Sequence, residues 1–116
     1  MSELFAKLFV RTERDLSSLI STVAEIVSGR VEPFGGVQAG NFELDVGANE
    51  YRELTSEDDF MRFPYAIDVF VLSASVSEAE FVEFLSRAMR ALHERRMQVV
   101  AACDWEESLP GRGKLM

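Results

Sequence analysis

The carboxylates Glu43, Asp45, Asp68 and Asp104 are the side chains whose type and spacing could do chemistry. Paired carboxylates divide general acid and base work when their surroundings push their pKa values apart, and hard cations take oxygen ligands. Alternation in an extended segment sets Glu43 and Asp45 about 7 Å apart on one side. Nothing in the spacing ties either of them to Asp68, and no fixed-spacing metal motif is present. His93, the sole histidine, falls at the end of a helical pattern, where a dipole contact accounts for it. Cys103, the sole cysteine, has no CxxC companion and suits a buried, inert strand thiol. The stretch Phe34-Gly35-Gly36-Val37-Gln38-Ala39-Gly40 lacks the GK[ST] ending and the following helix of a phosphate loop, so a turn or bulge explains it. We therefore expect no catalytic residues, no metal, no cofactor and no enzymatic activity.

The elements that would position these groups follow from periodicity. Leu4 to Arg11 alternates with period two, a strand whose second side mixes Phe5, Lys7, Phe9 and Arg11. Leu16, Leu19, Ile20, Val23 and Val27 form a helical stripe over about Glu13 to Ser28. Thr12 with Asp15 would make its capping box, and Gly29 its left-handed terminator. VEPFGGVQAG reads as a loop or irregular strand with a turn at Gly35-Gly36. Phe42, Leu44 and Val46 alternate with Glu43 and Asp45 in a second strand. Gly47 to Pro64 is a long connection with a helical turn near Ser56 to Phe60, and long loops are often functional. YAIDVFVLS, from Tyr65 to Ser73, is the strongest strand signal. Ser77-Glu78-Ala79-Glu80 is a full capping box opening a helix with Phe81, Phe84, Leu85, Ala88 and Leu92 buried. A last strand spans about Gln98 to Asp104.

Strand, helix, strand, strand, helix, strand is the order of a ferredoxin-like βαββαβ fold. This α+β fold would place both helices on one face of a four-stranded antiparallel sheet. Residues 1–105 would form the single domain and 106–116 a loose C-terminal tail. The second face has no helix left to cover it. Leu8, Val10, Phe42, Leu44, Val46, Ile67 and Val69 are expected to point into the core. Lys7, Phe9, Arg11, Glu43, Asp45, Asp68 and Phe70 are expected on the bare face, joined by Asp104. Aromatic area from Phe9 and Phe70 amid charges is the composition of a binding surface. Trp105 stands beside Asp104, Glu106 and Glu107 as the last strand ends. It serves either as a contact residue or as a cap folded back over the core.

Charge narrows the partner. The chain of 116 residues carries 20 acidic against 12 basic residues, a net of -8. Nucleic-acid binding draws most of its affinity from Lys and Arg on phosphates, so that class is set aside. No apolar run nears the roughly 18 residues of a membrane span, and no signal peptide is apparent. With one cysteine no internal disulfide forms, which suits a cytoplasmic protein. Partner-binding residues are expected to be Phe9, Glu43, Asp45, Asp68, Phe70, Asp104 and Trp105. The alternative function is a small-ligand-binding regulatory domain acting as a homodimer.

With the strand FPYAIDVFV and the terminal stretch VVAACDWEESLP in this strand–helix layout, the chain resembles immunity proteins of bacterial contact-dependent or polymorphic toxin systems. The resemblance carries no individual binding residue over. It implies a stoichiometric inhibitor that covers a toxin's active site, and an acidic face would complement a basic toxin and speed encounter.

Overall fold

The structure, a computed structural model, describes residues 4–49 and 63–116. In chain order the elements are β1 (Phe5–Arg11), α1 (Leu16–Val27), β2 (Arg30–Val31), β3 (Gly36–Ala39), β4 (Phe42–Ala48), β5 (Tyr65–Val71), α2 (Glu78–Glu94), β6 (Gln98–Ala102) and β7 (Lys114–Leu115). All strands belong to one sheet of order β2-β3-β4-β5-β1-β6-β7, antiparallel at every junction. The fold is mixed α+β, with two α-helices and an antiparallel sheet among the described residues.

Among the described residues the sheet has seven strands, not the four expected. The expected four lie side by side at its centre as β4-β5-β1-β6. The additions are short: β2 precedes the glycine-bearing stretch, β3 comes from within it, and β7 from the residues expected to be a tail. Strands of two residues, as in β2 and β7, cannot display a period, so alternation could not reveal them. Residues 106–116 are accordingly part of the domain. They form 3-10 turns, bury Leu109, and return Leu115 to pair with Val99.

Alternation in the central strands sends one set of side chains to the helices. Leu8, Val10, Leu44, Val46, Ile67, Val69 and Val99 join Leu19 and Val23 of α1 and Phe81, Leu85, Met89 and Leu92 of α2 in one core. Helix α2 begins as its sequence dictates. The Ser77 hydroxyl accepts from the Glu80 N–H at 3.1 Å, and the Glu80 carboxylate accepts from the Ser77 N–H at 3.4 Å. Helix α1 starts later than expected. Its cap is Asp15, which accepts from the Ser18 N–H at 2.8 Å, while Thr12 accepts from the Arg14 N–H. Its left-handed terminator is Ser28, with φ of 53°. Gly29 is needed for a different reason. A Cβ there would stand 2.8 Å from both the Gln38 carbonyl oxygen and Val37 Cγ1, so only glycine lets β3 close against the end of α1.

The long connection is secured at its base. Asn49, buried, donates its side-chain N–H to the Phe63 carbonyl at 2.8 Å and its backbone N–H to the Pro64 carbonyl at 2.9 Å. These bonds tie the end of β4 to the start of β5. The helical turn expected near Ser56 to Phe60 lies outside the described residues. Among the described residues no helix is long and apolar enough to cross a membrane.

Phe81 is fully buried, whereas Phe84 is only partly so and stacks on Phe42 with ring centroids 3.9 Å apart. Phe81→Ala should therefore cost about 3–5 kcal/mol in urea unfolding, the range for emptying a buried phenylalanine site. Phe84→Ala should cost less, about 1–3 kcal/mol, because part of its ring is already wet. Equal losses would mean that α2 is rotated from the orientation described.

Candidate functional site

The sheet face turned away from α1 and α2, helix-free among the described residues, is built row by row from strand register. Across its middle, Lys7 of β1 lies opposite Asp68 of β5, Asp68 opposite Asp45 of β4, and Asp45 opposite Gly36 of β3. The neighbouring row runs Phe5, Phe70, Glu43, Gln38 and Arg30. Three expected residues, Glu43, Asp45 and Asp68, are thus brought together, and Phe70 adjoins them. Like charges directly opposite across a ladder destabilise it, so the Asp45–Asp68 pairing is a cost that the rest of the sheet sustains.

Glu32, from the turn after β2, lines the same groove as Glu43, and its carboxyl raises the proton affinity of Glu43. Gly36 makes the room: a Cβ there would lie 3.3 Å from Asp45 Oδ1 and 3.4 Å from Glu43 Oε1. The Lys7 ammonium stands 3.6 Å from Asp68 Oδ1, and that oxygen, although buried, accepts no hydrogen bond from the described residues. Together Lys7, Glu32, Phe34, Glu43, Asp45 and Asp68 line a groove of about 730 Å³. Phe34 at its rim is fully exposed and held at φ of 68°, a region that bulky side chains rarely adopt.

The crowding shows in proton affinity. The hydrogen bond with Glu32 raises the Glu43 pKa most, followed by burial and by the charges of Glu32 and Asp45. Burial raises that of Asp45, helped by the charges of Asp68 and Glu32. Among the described residues no group of three His, Cys, Asp or Glu side chains could hold a metal ion. What the arrangement can do is present concentrated negative charge, partly desolvated, to a cation from outside.

Three expected contact residues take other places. Phe9 is buried, covered by Phe63 and Val100 in a small apolar cluster of its own, so it offers no contact area. Its covering residue, Phe63, arrives from the far end of the long connection, which alternation within β1 could not disclose. Asp104 lies in an exposed turn beyond the end of β6 at Ala102 and does not extend the carboxylate row. Trp105 packs edge-on against Phe81 with ring centroids 5.4 Å apart and donates its indole N–H to the Glu78 carboxylate. It therefore belongs to the helix side. His93 Nδ1 stands 3.3 Å from the Met97 carbonyl oxygen at the end of α2. Cys103 is partly buried, and burial pushes its thiol pKa up, away from reactivity.

Glu32, Phe34 and Gly36 were missed. Glu32 had no periodic signal, since its proximity to Glu43 arises only when β3 folds back along β4. Phe34 did leave one: a large aromatic between Pro33 and two glycines has no neighbouring pattern that would bury it. Comparison with family models, curated proteins and solved structures finds no match to this chain.

A carboxyl whose folded-state pKa is raised binds its proton more tightly folded than unfolded. Its contribution to stability is then greatest below the ordinary carboxylate range and is lost as pH rises through the raised value. Glu43 and Asp45 both act in this direction. The melting temperature of Glu43→Gln should exceed that of the parent at about pH 7, and the gap should close toward about pH 4. A gap that widens on acidification would reverse the assignment.

Proposed function

We propose that this chain is a non-enzymatic protein-binding domain that docks its acidic sheet face on a basic protein, in the manner of an immunity-type inhibitor covering a toxin. The observation that carries the proposal is the directly opposed Asp45–Asp68 pair, with Glu32 and Glu43 alongside and Lys7 as the nearby cation. Such a row costs the free protein stability. Cations of a partner would relieve the repulsion and gain Coulomb energy in a partly desolvated groove. Local rules are broken where function demands it.

In the same reading the centre of the sheet is a ferredoxin-like core. Its support is the order β4-β5-β1-β6 with both helices packed into one hydrophobic core on one side. The strands β2, β3 and β7 would be additions at its two edges. Those edges also bear on the homodimer alternative. Edge strands of two residues give little backbone to pair with a second copy, and face-to-face association would set carboxylates against carboxylates.

Immobilised protein should retain a basic partner at low salt and release it at high salt. With that partner in hand, Asp45→Lys combined with Asp68→Lys should slow association by about 10- to 100-fold and flatten its salt dependence. The fold should survive, since Asp45 is exposed and Asp68 only half-buried. An unchanged association rate in a folded double variant would remove this face as the docking site.

A further inference from the structure

The helix-free face changes character at one end. Phe5 of β1 lies opposite Phe70 of β5, with ring centroids 5.5 Å apart. Leu72 stands two positions beyond Phe70. Leu72 continues the β4–β5 pairing past Val71 by donating its N–H to the Asn41 carbonyl at 2.7 Å, and Val71 packs into the helix-side core, so alternation puts Leu72 on the side of Phe70. Phe5 is 39% exposed and Leu72 50% exposed, and none of the three residues belongs to either buried cluster. Glu43 is the β4 partner of Phe70, and Asp68 precedes Phe70 by two residues, about 7 Å along the strand. A contiguous apolar patch therefore abuts the carboxylate row.

Charge selects what can cover it. Nucleic acid and anionic membrane would bring more negative charge to the row, and a second copy would bring the same carboxylates. A protein segment with cations beside a large apolar side chain meets both halves. We propose that Phe5, Phe70 and Leu72 are the apolar anchor of the docking face, and that its occupant is a cationic amphipathic protein segment. Its apolar side chain seats on this patch while its Lys or Arg residues face Glu43, Asp45 and Asp68. This rests on the docking role proposed above and adds a division of labour. The carboxylates govern the association rate and salt dependence, and the patch governs residence time.

Two synthetic peptides of equal length and charge test this on the full chain, one alternating Lys with Leu and the other Lys with Ser. Titration by calorimetry, with backbone NMR shifts to locate binding, should find the Lys–Leu peptide bound at least about tenfold more tightly. Leu72→Ser and Phe5→Ser, both at exposed positions, should each erase most of that advantage while leaving the Lys–Ser affinity unchanged. Equal affinity of the two peptides, or an advantage that survives both substitutions, would overturn the anchor and leave the acidic docking face standing. If neither peptide shifts the Asp45 and Asp68 resonances, the docking face itself fails, and the anchor with it.

Discussion

Each central strand divides its side chains between a side that two helices cover and a side that they do not, and the protein's other features follow from that division. Leu8, Val10, Leu44, Val46, Ile67 and Val69 are buried because α1 and α2 lie over them. A strand residue one position along has no such cover, so its chemistry is free to be something else. In β1 that freedom is used for Lys7, in β4 for Glu43 and Asp45, and in β5 for Asp68 and Phe70. Because the pleat has period two, a slip of one residue would exchange the two sets, and the hydrophobic core holds the register against it.

The helix-free side is not uniformly open. At one end Phe9, Phe63 and Val100 make a second, smaller apolar cluster, and the bonds from Asn49 to Phe63 and Pro64 secure the strand ends beside it. At the other end Phe5 and Leu72 are exposed, and among the described residues neither they nor Phe70 belong to a buried cluster. Between the two ends run the carboxylates. The Glu32 contact raises the pKa of Glu43, and burial, helped by neighbouring charges, raises that of Asp45, so both carboxylates oppose folding at neutral pH. The cost is carried beside a groove with the exposed Phe34 at its rim.

The edges of the sheet bear on association as well. Both end in two-residue strands, which leave few unpaired backbone groups for another chain to add to.

Which side chains share a side was legible in the sequence, because alternation and the helical stripes are local properties. So was the start of α2, because a capping box is complete within four residues. Which residues stand opposite one another was not. Period two assigns a face but no partner, so Asp45 meeting Asp68 depended on how β4 and β5 pair across the long connection between them. Glu32 reached Glu43 only because β3 turned back along β4. Phe63 came over Phe9, and Trp105 turned to Phe81, through contacts between distant segments that carry no sequence signature of their own. The strands β2 and β7 were too short to display a period and exist because a longer neighbour offers them a ladder. The sequence by itself determined two chemically unlike faces. Long-range pairing decided which charges and rings each face brings into contact.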